Sequence, residues 1–205
     1  MAQQWILVTG GSRGIGRALV TGLAQSWNVV FTGRNGAAIN ATLAACENSS
    51  RQVQGYVCNG SDASRVEQLA QALLTERGAP EAIIHNAGIA RDGLHIHQDA
   101  ALWREVLDTN VISMINWNRG LLPAMVSKGW GRVVFISSES ARNIPADMIH
   151  YGVTKTAQLS LARGLAKFVA GSGVTVNSVL PGPTISDGFA EMMKDEVAKT
   201  GKRLC

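Results

Sequence analysis

The hydrophobic residues of this 205-residue chain fall into short apolar runs that are separated by longer amphipathic stretches. Six of the runs have the length and composition of strands: residues 5–9, 28–33, 52–58, 82–85, 133–137 and 174–180. They show little of the strict alternation that marks a strand with one solvent-facing side, so we expect them to be buried on both faces. This pattern predicts a parallel sheet covered by helices.

The stretches between the runs carry apolar residues at helical spacing. Helical patterns cover residues 15–25, 66–74, 99–125 (in one piece or two) and 149–169. Either Ser61 or Asp62 can cap the second of these helices. The alternation of strand and helix predicts an α/β fold, a Rossmann-type doubly wound parallel sheet of six strands. At this length we expect a single domain over residues 1–205.

Composition narrows the class of protein. The net charge is +4 and the pI about 9.2, but the basic residues are dispersed, so a small anionic ligand explains the bias better than nucleic acid. Cys46, Cys58 and Cys205 lack metal-ligand spacing and read as free thiols; His95 and His97 lack matching ligands, so we expect no metal. The chain starts directly with a strand run, and no apolar stretch approaches the ~20 residues of a membrane helix. We therefore expect a cytoplasmic protein without a membrane partner.

A glycine-rich turn follows the first predicted strand directly and precedes the first predicted helix. Its sequence is Gly10-Gly11-Ser12-Arg13-Gly14-Ile15-Gly16. A turn in this position can present backbone N–H groups and the positive end of a helix to a phosphate. We expect Gly10 to make the tight turn, Gly14 to let the backbone approach the ligand, and Gly16 to allow close packing of helix on strand. The spacing departs from the common G-x-G-x-x-G. The position of the turn between a strand and a helix nevertheless predicts dinucleotide binding.

Two arginines bear on the choice of dinucleotide. Arg34 follows the second predicted strand, at the place where an acidic residue would bind the ribose 2′-hydroxyl of NAD. Arg13 adds a second cation from the glycine turn, and no Asp or Glu lies between residues 29 and 45. The pair favours NADP over NAD; the alternative is that both are solvated surface residues.

The stretch from Ser138 to Lys155 carries the candidate catalytic chemistry. Tyr151 and Lys155 are four residues apart in a predicted helix, so their side chains lie on one face. A neighbouring cation favours phenolate and is expected to lower the pKa of the Tyr151 phenol, which then can exchange a proton near neutral pH. Ser138 can add a hydroxyl donor if the loop brings it beside the tyrosine.

Taken together, the motifs resemble those of the short-chain dehydrogenase/reductases over residues 5–185. The matching pieces are TGGSRGIG at 9–16, NAG at 86–88, Asn110 in DTNV, Ser138, YGVTK at 151–155 and PG at 181–182. The phrases GIARD at 88–92 and LWREVLDTNV are most similar to the 3-oxoacyl-carrier-protein reductase branch, whereas PGPTISDG is not typical of it.

The resemblance implies a role for each matching residue. Tyr151 would be the general acid or base, and Lys155 would lower its pKa and hold the nicotinamide ribose. Ser138 would hydrogen-bond the reacting oxygen, and Asn110 would support a water that relays protons to Lys155. The implied cofactor-binding residues are Gly10, Ser12, Arg13, Gly14, Ile15, Gly16, Arg34, Asn59, Gly60, Asn86, Ala87, Gly88, Tyr151, Lys155, Pro181, Gly182 and Thr184.

Three features depart from the family pattern. His85 stands where another Asn is common, which we expect to change little, and Asn59-Gly60 stands where Asp-Val is common. Family members also continue into a further helix and a seventh strand, so we expect the sixth strand to be a sheet edge. Residues 181–200 are expected to form a mobile substrate lid.

These observations lead to a functional hypothesis with two alternatives. The chain is expected to be an NADPH-dependent oxidoreductase acting on a carbonyl or hydroxyl substrate, such as a 3-oxoacyl thioester. The first alternative is a shortened, non-catalytic NADP-binding or partner-binding protein, and a more distant one is nucleic-acid binding. Apolar stripes on the helices at 99–125 and 149–169 predict a homodimer or homotetramer.

Overall fold

The computed structural model describes residues 4–90 and 99–185. Within these residues six strands form one parallel sheet: β1 (Trp5–Thr9), β2 (Asn28–Gly33), β3 (Val53–Val57), β4 (Ala82–His85), β5 (Gly131–Ile136) and β6 (Val174–Val179). Their order across the sheet is β3-β2-β1-β4-β5-β6, with β1 in register with both β2 and β4. The prediction of a six-stranded, doubly wound Rossmann-type sheet is therefore confirmed.

Six α-helices connect the strands: α1 (Gly14–Leu23), α2 (Gly36–Ala44), α3 (Ala63–Arg77), α4 (Ala100–Leu107), α5 (Ser113–Lys128) and α6 (Ile149–Phe168). The sequence pattern did not predict α2, because its nine residues bury little more than Ile39 and Thr42. Its start is fixed instead by Asn35, whose side chain accepts a hydrogen bond from the Ala38 N–H. Asp62 is the residue that caps α3, through the Arg65 N–H.

The helical pattern at 99–125 divides into two helices. A π-helical segment, Asp108–Ile112, separates α4 from α5. It carries Asn110, which is fully buried. Short π segments are frequent at functional sites, because the wider turn reorients a side chain that a regular helix would place elsewhere.

Alternate residues of the central strands supply two separate cores. Trp5 and Leu7 of β1 pack on one face with residues of α3, α5 and α6, whereas Ile6 and Val8 pack on the other face with residues of α1 and α2. Both faces of β1 are buried. Each buried aliphatic side chain contributes about 1.5–3 kcal/mol, so the sheet centre is a rigid support for the loops at its ends.

The two edge strands differ from the prediction of apolar burial on both faces. β6 pairs with β5 alone in the part of the chain that the structure describes, as expected for a sheet edge. Its Thr175 and Asn177 are exposed, and the side chains of β3 are mostly half-buried. Each edge strand therefore has polar or partly solvated positions that the central strands lack.

Some expectations concern residues outside the described ranges. They include most of the predicted lid, at 186–200, and His95, His97, Asp92 and Cys205. Within the described ranges, Cys46 and Cys58 are buried free thiols. None of the described helices has the length and apolarity required to cross a membrane.

Candidate active site

A cleft of about 840 Å³ opens where the carboxyl ends of β1, β2 and β4 meet. The neighbours of β1 in the sheet are β2 on one side and β4 on the other, so the strand order reverses at this point. Open α/β sheets bind ligands at such a reversal. The cleft is lined by the ends of β1 and β2, the glycine turn, the segments that follow β2, β3 and β4, and parts of the π segment, α5 and α6: Thr9, Gly10, Ser12, Arg13, Ile15, Gly16, Thr32, Gly33, Arg34, Asn35, Ala38, Cys58, Asn59, Gly60, Ser61, Asn86, Ala87, Gly88, Ile89, Thr109, Ser113, Trp117 and Tyr151.

The glycine turn has the backbone geometry that its sequence predicts. Gly10 has φ +67°, and a Cβ there would lie 2.8 Å from the Cα of Ala87. A Cβ on Gly16 would collide with the carbonyl oxygen of Gly10. Arg13 precedes α1 without capping it, so the first turn of this helix, whose Ile15 and Gly16 line the cleft, has no side-chain cap. Backbone donors at a helix start are a suitable site for phosphate.

Thr9 and Asn86 connect the ends of β1 and β4 beneath this turn. The Thr9 Oγ1 accepts hydrogen bonds from the N–H groups of Asn86 and Ala87, each at 3.1 Å. The Asn86 side chain donates to the carbonyls of Thr9 and Gly10 at 3.2 and 3.0 Å. The segment at 86–88 is thereby held against the glycine turn, and Thr9, which is part of the motif at 9–16, has a role that the sequence analysis did not assign.

Arg13 and Arg34 lie on the wall of the same cleft, at the end of β2. Both are exposed, and neither forms an ion pair within residues 4–90 and 99–185. Ser12 is close to this wall as well, since a Cβ on Gly33 would lie 2.8 Å from its Oγ. The two guanidinium groups are thus available to an anionic part of a ligand.

Ser138 and Tyr151 meet at one end of the cleft. The Ser138 hydroxyl is placed to hydrogen-bond the Tyr151 phenol, and Ser138 Oγ accepts from the Ser140 N–H at 3.1 Å. Lys155 lies behind the tyrosine, with Nζ 5.3 Å from the centre of the Tyr151 ring. The three side chains that the sequence analysis selected therefore converge.

The pKa of Tyr151 differs from the sequence-based expectation. Burial raises the pKa of the phenol above its ordinary value of 10.0, and the hydrogen bond from Ser138 only partly opposes this. Burial also lowers the pKa of Lys155 to about 8. The expectation that Lys155 lowers the pKa of Tyr151 is thus wrong in this structure: the ammonium faces the tyrosine ring and donates instead to the Ile136 carbonyl at 3.0 Å.

Asn110 joins the π segment to the floor of the site. Its side chain accepts from the Ile89 N–H at 2.8 Å and donates to the Ile89 carbonyl at 2.9 Å and to Thr154 Oγ1 at 3.0 Å. Its backbone carbonyl accepts from the side-chain amide of Gln158 at 2.7 Å. A Cβ on Gly88 would lie within 3.4 Å of Asn110 Oδ1 and 3.7 Å of Lys155 Nζ, so these groups surround the backbone at 88.

Comparison with known proteins agrees with this geometry. Residues 4–197 match the model of the short chain dehydrogenases. The chain belongs to the short-chain dehydrogenase family. Among its relatives are the uncharacterized oxidoreductase YvrD of Bacillus subtilis (31% identity over 98% of this chain and 76% of the relative) and the 3-oxoacyl-acyl-carrier-protein reductase FabG of Escherichia coli K12 (32%, over 94% and 78%).

Solved structures share the fold of this short-chain dehydrogenase. A variant of actinorhodin polyketide ketoreductase with NADPH has a TM-score of 0.91 at 24% identity, covering 99% of this chain and 80% of that one. L-Sorbose reductase from Gluconobacter frateurii, complexed with NADPH and L-sorbose, has a TM-score of 0.90 at 21% identity, covering 98% and 77%. At these identities the likeness concerns the fold alone.

Not every predicted site residue of this short-chain dehydrogenase lines the cleft. Gly14, Asn110, Ser138 and Lys155 are not among the lining residues. Lys155 faces the ring of Tyr151, which does line the cleft, and Asn110 bonds to the lining residue Ile89. Pro181, Gly182 and Thr184 are not among the lining residues either. The Pro181 carbonyl accepts from the Glu139 N–H, and Thr184 Oγ1 donates to the Gly182 carbonyl. Its contact with a cofactor stays a prediction.

Several wall residues were not predicted. Ser113 and Trp117 reach the cleft because they are four residues apart on one face of α5, a spacing that could have been noticed in the sequence. Thr154 and Gln158 bond to Asn110, and no local pattern indicates that contact because the partners are 44 and 48 residues apart.

Proposed function

We propose that this short-chain dehydrogenase is an NADP-dependent reductase of ketones. The observation that carries the proposal is the convergence of the Tyr151 phenol, the Ser138 hydroxyl and the Lys155 ammonium at one end of the cleft that begins at the glycine turn. A phosphate-binding turn and a proton donor on one cleft wall are what nicotinamide-dependent reduction of a carbonyl requires.

The residues of the cleft fit a nicotinamide dinucleotide. Gly10 leaves no room for a side chain beside Ala87, and the first turn of α1 offers backbone donors to a pyrophosphate. Arg13 and Arg34 would hold a 2′-phosphate, which supports NADP over NAD. When bound, the nicotinamide supplies the hydride.

The protein's own part in the reaction is positioning and proton transfer. A phenol whose pKa is raised by burial keeps its proton at neutral pH, so Tyr151 can donate it to a substrate oxygen as negative charge develops there. Ser138 would hydrogen-bond the same oxygen. Lys155, with a pKa of about 8, is largely protonated at pH 7 and supplies a nearby positive charge.

For the substrate we favour a 3-oxoacyl thioester. The support is the 32% identity to a 3-oxoacyl-acyl-carrier-protein reductase and the local phrases at 88–92 and 102–111. A panel that contains 3-oxoacyl thioesters, cyclic ketones and sugar ketones would rank the substrate classes.

The decisive experiment is NADPH consumption with this ketone panel. Wild-type protein should turn over at least one ketone, and Tyr151→Phe should lose at least about a hundredfold in kcat, as expected when a general acid is removed. The chain has one other tyrosine, Tyr56, whose hydroxyl bonds the Gln54 side chain away from the cleft, so Tyr56→Phe is the matched control. NADPH binding without turnover of any ketone would instead favour a non-catalytic NADP-binding protein.

We also infer that copies of the chain pair through the face formed by α5 and α6, as a homodimer or homotetramer. An apolar groove of about 570 Å³ lies between these helices. It is lined by Leu122, Val126, Leu161, Leu165 and Phe168 among others, and Phe168 is 80% exposed. A light-scattering mass equal to one chain would contradict this inference.

The cytoplasmic location stays a prediction.

A further inference from the structure

Gln158 is a buried side chain that neither the sequence analysis nor the proposed mechanism uses. It lies on α6 three residues after Lys155 and is fully buried. Its Nε2 donates to the Asn110 carbonyl at 2.7 Å, and its Oε1 accepts from Lys155 Nζ at 3.4 Å. One amide therefore connects the π segment to the lysine.

The Lys155 ammonium is stabilised by uncharged hydrogen-bond acceptors. Within residues 4–90 and 99–185 it forms no ion pair with a carboxylate, and its recorded hydrogen-bond acceptors are the Ile136 carbonyl and Gln158 Oε1. The titratable side chain that contacts Lys155 is Tyr151, and the contact is made by the face of the tyrosine ring. Asn110, which bonds to this helix, and Thr154, which precedes Lys155 in it, are uncharged. Buried charges without partners are costly, so each acceptor matters to the ammonium.

A buried glutamine at this position destabilises the protein unless both the N–H and the carbonyl of its amide form hydrogen bonds. Transfer of an unpaired amide into the protein interior is unfavourable, whereas an aliphatic side chain needs no hydrogen-bond partner there. Here the donor end and the acceptor end face different partners, so the amide has one orientation. The orientation is fixed by the stronger bond, the 2.7 Å contact with the Asn110 carbonyl.

We propose that Gln158 is a positioning residue for Lys155: its amide, oriented by the Asn110 carbonyl, holds the lysine ammonium in place beside the Tyr151 ring. The role of this contact in catalysis rests on the proposed reductase function, whereas the hydrogen bond between Gln158 and Lys155 is observed independently of it. The Asn110 carbonyl thereby accepts from a side chain, on a residue for which the family resemblance implies a role in supporting a water.

The test measures the lysine directly, in the protein without cofactor. The Lys155 Cε resonance, assigned by its absence in Lys155→Met, is followed by carbon-13 NMR as a function of pH. Wild type should titrate with a midpoint of about 8. Gln158→Met has a similar size but no acceptor, so the midpoint should fall by roughly 0.5–1 pH unit. Gln158→Glu keeps an acceptor and adds a negative charge, so the midpoint should rise by about one unit or more.

Controls separate positioning from a general effect on the helix. Thr156→Val removes a hydrogen bond of the same helix to the Ala141 carbonyl and should leave the Lys155 midpoint where it is. If Gln158→Met fails to fold, the direction of the shift in Gln158→Glu decides. A midpoint that stays within about 0.2 pH unit of wild type in the folded variants would overturn the proposal.

Activity gives the second readout. In an active enzyme the alkaline limb of the kcat/KM profile should move in the same direction as the NMR midpoint, whereas a merely structural role would lower the rate without moving the limb. If no ketone is turned over, the proposed function fails, but the NMR titration still decides whether Gln158 positions Lys155.

Discussion

His85 makes the stability of this protein depend on pH in a way that can be measured. Its ring, at the end of β4, is fully buried and packs on Phe135 with centroids 4.8 Å apart. Its Nε2 lies 2.9 Å from Asn118 Nδ2, and its Nδ1 has no hydrogen-bond partner among the described residues. Burial disfavours a second proton on this ring and lowers the pKa of His85 to about 4, although the hydrogen bond with Asn118 opposes the shift.

The sign and size of the effect follow from this shift. An unfolded chain binds the proton with a pKa of about 6.5, and the folded protein only near 4. Below about pH 6.5 the unfolded state therefore binds more protons than the folded state. The free energy of unfolding decreases as the pH is lowered, until the pH is below the pKa of the folded protein. The full difference of about 2.5 pH units corresponds to about 3.4 kcal/mol, and roughly 2 kcal/mol is lost by pH 5.

The assay is urea unfolding of wild type and His85→Gln at about pH 7 and about pH 5. Glutamine can present an acceptor near the Nε2 position, facing Asn118, but it does not titrate. The other ionisable groups contribute equally to both proteins, so the variant should lose about 2 kcal/mol less between the two pH values. An equal loss in the two proteins would show that His85 accepts the proton in the folded state and would refute the reasoning.

Three further outcomes are expected. Arg34→Asp should raise the Kd for NADPH at least about tenfold while sparing NADH, because the cation on the cleft wall is replaced by a carboxylate; quenching of Trp117 fluorescence can report binding. Equal weakening of both cofactors would contradict it. Lys155→Met should raise the free energy of unfolding at about pH 7 by roughly 1–3 kcal/mol, because it removes a buried ammonium whose pKa is held near 8; urea titration measures this, and a lower stability would contradict it. Phe168→Asp should reduce the light-scattering mass to that of one chain, because it places a charge in the apolar α5–α6 groove; an unchanged oligomer would locate the interface elsewhere.

Sequence reasoning succeeded where structure depends on local periodicity. The runs that became β1, β2 and β4 are apolar because these strands are buried on both faces, and the positions of Tyr151 and Lys155 follow from helical spacing alone. The helix α2 was missed because a cap rather than an apolar stripe defines it.

The remaining features of the site depend on contacts between distant parts of the chain. Thr9 bonds residues 77 and 78 positions away, and Gln158 bonds a carbonyl 48 positions away. The depth of burial is also set by such contacts. For this reason the sequence predicted that Tyr151 and Lys155 are neighbours but gave the wrong direction for the pKa of the phenol.

The two pKa shifts at the site bear on the direction of the proposed reaction. Burial raises the pKa of Tyr151 and lowers that of Lys155 to about 8, so at neutral pH the resting pair is a protonated phenol beside a largely protonated ammonium. A protonated phenol is the form that reduction of a carbonyl needs, whereas oxidation of an alcohol needs the phenolate. The protein would have to meet the cost of forming a buried phenolate before it could oxidise an alcohol. We therefore expect the reductive rate to exceed the oxidative rate at pH 7, and the ratio to fall as pH rises and phenolate becomes accessible.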